Sequence, residues 1–389
     1  MIKEEDALRR FLSVWLAAAL ILSGALAESW IVDEDEENVF PDRRTQARVL
    51  MRSMSLEEKV WQLLVVEPET LTGDTVTSAL GTANVFERRP VGGVVIFGQN
   101  IASEAQLKQL TADLNAHAQK ANVYAPFIAV SEEGGAWSRV ANKLGYEMPP
   151  SPLKAAEDES GKTAYETGKR IGEYLTPFGV NLDLAPVSDV LTASRAWVRD
   201  RVYGTDAGKV AAQALQMADG LRAGGVIPCF SHFPGQGNVV GNLNNREVGN
   251  SRTLAEMRAA DWVPFRRAAE GGAEMIMVSH AVSKAAGDKR PASLSSTVVA
   301  GWLRGELGYD GVVITDSLRM GAIRTEYKTG EAAVLALQAG CDLLLLPADA
   351  DAAAAAVLDA IDSGELTVAR IEESVERVLA LKIDKGIIK

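Results

Sequence analysis

The chain has 389 residues, 47% of them apolar and 24% charged, with a net charge of −12. That size and balance suit one large α/β barrel or two modest domains. No Lys/Arg run exceeds two residues, so the basic stripe that a phosphate backbone wants is missing and nucleic acid is excluded as the expected partner.

Arg9 and Arg10 precede an apolar stretch over residues 11–27 that ends Ala25-Leu26-Ala27, the small-x-small pattern at which an export signal is cut. Its 17 residues fall short of the roughly 20 that span a bilayer. Residues 1–27 are therefore expected to be a signal peptide. The product would be secreted or held in the cell envelope, with no stable membrane span once the signal is removed; an uncleaved anchor is the alternative. Residues 28–46 carry Asp33-Glu34-Asp35-Glu36-Glu37 and read as a solvated acidic linker.

From residue 47 to 389, short apolar runs alternate with amphipathic stretches. The runs lie at 60–66, 91–97, 127–130, 180–187, 226–230, 275–278, 311–314 and 342–346. Helical periodicity appears at 103–120, 207–223, 254–269 and 332–339, with a last helix over 368–382. Eight strand-length runs separated by helices predict an α/β fold, a single-domain (β/α)8 TIM-type barrel. A doubly wound sheet is the alternative, though it rarely needs eight such regular units. Cys229 and Cys341 each sit in an apolar run and read as buried, unpaired thiols.

In a barrel, polar groups just past the strand ends face the active site. Those positions hold Glu67, Asn100, Ser131-Glu132-Glu133, Asp189, Ser231-His232, Ser279-His280, Asp316 and Asp349. Such a cup suits carbohydrate binding or metal-dependent hydrolysis. Barrel metallohydrolases want His-x-His after the first strand, where this chain has Glu67-Pro68-Glu69; of its three histidines, His117 belongs to an amphipathic helix. No metal and no other cofactor is expected.

Several stretches together carry a resemblance. They are Met54-Ser55-Leu56-Glu57-Glu58-Lys59-Val60, Gly92-Gly93-Val94 with Asn100, Glu133-Gly134-Gly135 with Arg139, and Ala185-Pro186-Val187-Ser188-Asp189-Val190. Further along come Arg201-Val202-Tyr203-Gly204, His232-Phe233-Pro234-Gly235, Pro291-Ala292-Ser293-Leu294-Ser295, and Leu307-Gly308-Tyr309-Asp310-Gly311-Val312 leading to Thr315-Asp316. In this order the chain resembles glycoside hydrolase family 3, in its single-barrel β-N-acetylhexosaminidase branch.

The resemblance implies a retaining glycosidase acting on carbohydrate, a GlcNAc-containing glycan or peptidoglycan fragment. Asp316 matches the nucleophile, and Arg201 and His232 match groups that bond sugar hydroxyls. The branch's proton donor is an Asp-x-His pair, and its positions here fall on Asn242 and Asn244, amides that do not titrate near neutral pH. Other departures are Ser131 for an Asp, Ala136 for an Arg, Ser231 for a Lys and Gln236 for a His. Glu247 and Glu132 are the candidate substitute acids, and Ser131, Glu132, Ser231 and Met320 join the expected substrate-binding set. Trp137 has either a pyranose-stacking or a packing role. Two readings follow: a hydrolase with an impaired or altered acid/base, or a non-catalytic sugar-binding barrel. A different barrel chemistry or a partner-binding scaffold is the third.

Overall fold

Ser55 and Glu58 decide how the first apolar run is used. The Ser55 hydroxyl accepts the Glu58 amide and the Glu58 carboxylate accepts the Ser55 amide at 2.6 Å, a capping box that commits Leu56–Trp61 to helix. Val60 and Trp61 are therefore the buried face of that helix, and the strand begins only at Leu64. The structure, a computed structural model, describes residues 42–73, 83–121 and 123–388. The expected signal peptide and most of the acidic linker lie outside the described residues. The linker's last residues, 43–46, belong to a helix, Arg43–Met51, that packs against the C-terminal helix Val368–Asp384. Arg48 grips Glu376 there at 2.6 and 3.1 Å.

Each of the eight apolar runs contains or overlaps one strand. They are β1 (Leu64–Val66), β2 (Gly93–Val95), β3 (Phe127–Val130), β4 (Leu182–Asp183), β5 (Ile227–Phe233), β6 (Met275–Val278), β7 (Val312–Thr315) and β8 (Leu344–Leu345). Every residue in them is buried, as parallel strands covered on both faces must be. Neighbours run β8-β1-β2-β3-β4-β5-β6-β7, all parallel. A parallel bridge between Ile314 and Leu343 joins the two ends of that order, and the result is a (β/α)8 barrel. The expected helices at 103–120, 207–223, 332–339 and 368–382 form the outer layer as Glu104–Lys120, Ala207–Ala223, Thr329–Ala339 and Val368–Asp384. The helix expected over 254–269 is interrupted. It runs as Leu254–Glu256, a wide π turn Met257–Asp261 and then Val263–Glu270, because Pro264 offers no amide to continue the earlier ladder. Cys229 and Cys341 are both buried and unpaired.

The end of the barrel where the strands begin is tied by charge. Asp342, 0% exposed, accepts the Val313 amide at 2.9 Å and the Ser374 hydroxyl at 2.7 Å, and lies within 4 Å of Arg304, Arg370 and Arg377. Nearby, the fully buried Lys382 donates to Gln62 Oε1 at 3.0 Å and lies 5.1 Å from the centre of the Phe127 ring.

Candidate functional site

The opposite end, past the strands' last residues, opens into a cavity of about 260 Å³. Its walls include Phe97, Ser131, Glu133, Trp137, Arg139, Trp197, Arg201, His232, Gln236, Asn244, Asp316 and Met320.

Asp316 sits where β7 ends. Its amide still donates into the ladder, to Val278 O at 2.9 Å, and its Oδ1 accepts the Ser317 amide at 2.7 Å. Below it His280, from the segment after β6, is fully buried. His280 Nε2 donates to Ser317 O at 2.9 Å and Nδ1 meets the Ser293 hydroxyl at 2.7 Å. Burial holds the His280 imidazole below its ordinary pKa, against the pull of Asp316 and the backbone carbonyls. A neutral ring with both nitrogens engaged is a prop for the Asp316–Ser317 turn rather than a proton carrier.

β5 brings the second group. Its register against β6 shifts between Phe230 and Phe233, so an irregularity falls on Ser231 and His232 and aims the imidazole into the cavity. His232 Nδ1 lies 2.8 Å from Asp189 Oδ2, and Asp189 Oδ1 accepts the Gln236 amide at 2.6 Å. A carboxylate can only accept, so Nδ1 carries the proton and Nε2 is the nitrogen left for a ligand. The approach of the loop after β5 to the segment holding Asp189 depends on Gly237: a Cβ there would stand 1.7 Å from Val190 O.

The third wall is an ion pair. Arg201 reaches Glu133 at 2.6 and 2.7 Å, and its guanidinium lies 4.8 Å from the centre of the Trp137 ring. Burial works against this cation, but Glu133, with Asp316 and Asp189 beyond it, holds its pKa above the ordinary value. The Ser131 hydroxyl donates to Glu133 at 3.2 Å.

Two expectations, Glu132 and Ser231, need correction. Glu132 is 0% exposed and points away from the cavity. Its carboxylate accepts the Val140 and Ala141 amides, each at 2.9 Å, and the Tyr174 hydroxyl at 2.6 Å, so it caps the helix Arg139–Leu144 instead of serving as an acid or a sugar ligand. Ser231 is 1% exposed and lies behind the wall that its neighbour His232 forms; its hydroxyl has no partner among the described residues. Glu247 is exposed and stands outside the lining, near enough to Tyr327 to help raise that phenol's pKa, after burial. Asn242 also stands outside the lining, and its Oδ1 accepts the Asn244 amide at 2.9 Å. Asn244 does line the cavity, with Met320 beside it.

The loop carrying Asn244 is fixed by main-chain bonds. Gly321 N donates to Asn244 O at 2.8 Å and Ala322 N donates to Leu243 O at 2.9 Å. A Cβ on Gly321 would stand 2.3 Å from the Asn245 carbonyl carbon, so only glycine permits the contact. Three supporting residues went unassigned in the sequence: Glu133, Arg139 and Asp189. Asp189 was visible as a strand-end carboxylate, and Glu133 and Arg139 as parts of one motif, but nothing in the sequence said which side chains of that motif turn inward. Among the other strand-end groups, Glu67 pairs with Arg319 at 2.8 Å twice, Asn100 bonds Glu69 at 2.9 Å, and Asp349 caps the helix Ala350–Asp362.

Comparison with known proteins agrees with this architecture. Residues 55–381 match the glycosyl hydrolase family 3 N-terminal domain. A protein named beta-hexosaminidase from Chromobacterium violaceum is 33% identical over 277 residues, covering 69% of this chain and 75% of its own. Among solved structures, a glycoside hydrolase family 3 beta-N-acetylglucosaminidase from Paenibacillus sp. superposes with a TM-score of 0.81 at 33% identity; the match covers 86% of this chain but 63% of that one. A beta-N-acetylhexosaminidase from Beutenbergia cavernae superposes with a TM-score of 0.72 at 30% identity, covering 86% of this chain and 99% of its own. The chain described here belongs to glycosyl hydrolase family 3.

Proposed function

We propose that the chain hydrolyses O-glycosidic bonds of β-linked N-acetylhexosamine by a retaining route, with Asp316 as nucleophile and without the usual side chain for proton donation. One observation carries this reading. The wall has two carboxylates; Glu133 is held by Arg201, while Asp316 is in no ion pair among the described residues. Asp316 attack on the anomeric carbon forms an ester as the glycosidic C–O bond breaks and its electron pair leaves with the aglycone oxygen. Water then attacks the same carbon, the bond to Asp316 breaks, and the proton that the water loses passes to solvent or to the departed aglycone oxygen. Asn244 can donate a hydrogen bond to the departing oxygen but cannot surrender a proton at neutral pH. Lacking an acid costs on the order of 10²–10⁴ in rate when the leaving group is poor.

The likeness to proteins named beta-hexosaminidase and beta-N-acetylhexosaminidase supports a GlcNAc-containing glycan or peptidoglycan fragment as substrate. The apolar stretch over residues 11–27 supports export to the cell envelope or beyond. Among the described residues no helix is long and apolar enough to cross a membrane.

The test is the leaving group. An aryl N-acetyl-β-glucosaminide with an acidic phenol needs no protonation and should turn over at least about 10²-fold faster than a natural disaccharide. Mass spectrometry of the quenched reaction should find the sugar on the peptide holding Asp316; no adduct from either substrate sinks the proposal. A non-catalytic sugar-binding barrel is the second reading, favoured by the fixed amide wall that Asn244 forms. Calorimetric binding of the disaccharide with no turnover of either substrate would select it.

A further inference from the structure

The cavity holds two arginines in different states. Arg201 is neutralised by Glu133 at 2.6 and 2.7 Å. Arg139 also lines the wall, half-buried, and no carboxylate lies within ion-pair distance of it among the described residues. Its one polar contact among the described residues is a long 3.5 Å approach from Nη1 to Ser131 O, and its guanidinium lies 5.7 Å from the centre of the Phe97 ring. A guanidinium has five N–H donors in a rigid fork that matches a carboxylate. Most of Arg139's donors are therefore unclaimed among the described residues.

The acids behind it do not cancel this charge. Glu132 is turned to the amides of Val140 and Ala141. Asp183 gives one oxygen to the Glu132 amide at 2.8 Å, and its burial pushes that carboxyl well up, toward the uncharged form. Ser131, whose hydroxyl donates to Glu133, supplies no charge where a carboxylate would have done so. With Arg201 matched by Glu133, and Asp316 needed as a free anion, the wall keeps one unmatched cation.

We propose that this cavity selects a sugar bearing a carboxylate, seated against Arg139 beside Ser131 and Phe97. The inference rests on the sugar-site reading above and narrows it from a neutral hexosamine to an acidic one. The carboxylate could belong to C6 of a uronic acid or to an ether substituent on the ring, and both present the same planar pair of oxygens to the fork.

Calorimetry on the full chain tests this without turnover. The probes are methyl β-D-glucuronide, the methyl β-glycoside of N-acetylmuramic acid, methyl β-D-glucoside and methyl N-acetyl-β-D-glucosaminide. At low salt, at least one carboxylate sugar should bind about 10- to 100-fold more tightly than its neutral counterpart, the range for one charge-assisted contact. Whichever acid binds identifies the source of the carboxylate. Arg139→Gln should erase the preference, and Arg139→Lys should keep part of it. Equal binding of acidic and neutral sugars, no binding of any probe, or a preference that survives Arg139→Gln overturns the proposal. Trapping at Asp316 uses aryl substrates and a different readout, so the nucleophile can fail while the carboxylate preference stands, and the reverse.

Discussion

Two aspartates on adjacent strands, at opposite ends of the barrel, show how the fold divides one chemistry between two tasks. Asp342 precedes β8, is 0% exposed and lies within 4 Å of three arginines, with Ser374 and the Val313 amide completing its shell. Asp316 follows β7, is half-buried, and has only the Ser317 amide on its Oδ1. A carboxylate with every lone pair bonded to the protein is architecture. One with a vacant oxygen, supported from below by a neutral His280, is available to a ligand. The lesson concerns partners more than residue type: charge-paired acids hold the barrel's closed end, and the open end keeps an acid apart from its cations.

Asp316→Asn should break that contrast most sharply. The amide oxygen still accepts the Ser317 amide, so unfolding free energy measured in urea should stay within about 0.5 kcal/mol of the parent. Turnover of an activated aryl glycoside should fall on the order of 10⁴-fold or more, as removal of a nucleophile does. A large loss of stability would place Asp316 with Asp342 as a structural acid.

Asp342→Asn should do the reverse. It leaves Arg304, Arg370 and Arg377 facing a neutral amide in the interior. Arg370 and Arg377 keep Glu373, whereas Arg304 keeps the Tyr309 and Gly311 carbonyls and the face of the Tyr309 ring but no other carboxylate among the described residues. Removing one partner from a buried ion pair costs about 3–5 kcal/mol, read from the denaturation midpoint. Activity per folded molecule, measured well below the midpoint, should be unchanged.

How far the sequence reveals each end follows from the same physics. Parallel strands covered on both faces must be apolar throughout, so all eight runs were visible. Where a run straddled a helix, as at Val60 and Trp61, apolarity could not separate buried helix from buried strand, and the Ser55–Glu58 cap settles it. The helix Arg43–Met51 was hidden because its charged residues continue the acidic linker's polarity, and only Ala47 and Met51 are buried in it, with Leu50 partly so. At the site, position relative to a strand end found Asp316 and His232, and the family resemblance supplied Arg201, but neither could choose between neighbours. Glu132 and Glu133 differ by one residue, yet one caps a helix and the other faces the cavity. Ser231 and His232 divide in the same way at a shifted register. Such choices depend on local backbone irregularity, which residue type does not encode.

The smallest of these effects should appear at the closed end, as a pH dependence. Burial lowers the Lys382 pKa to about 7 from its ordinary 10.5, and Gln62 Oε1 is its acceptor, with the Phe127 ring beneath. Between those values the folded chain binds fewer protons at this site than the unfolded chain does. Stability from this group therefore rises with pH, is fully present above about 10.5, and is lost as pH falls toward 7. Lys382→Met replaces the amine with a flexible apolar chain of similar length. At pH 6, where the parent must bury a charge or hold it against desolvation, the variant should be the more stable by a few kcal/mol at most. Near pH 10 the advantage should vanish or reverse, because Gln62 Oε1 is left without its donor at a cost of about 1–3 kcal/mol. Urea midpoints for both proteins across that range decide the matter. Parallel curves would mean that Lys382 keeps one protonation state throughout, and that the closed end is held by the arginines around Asp342 alone.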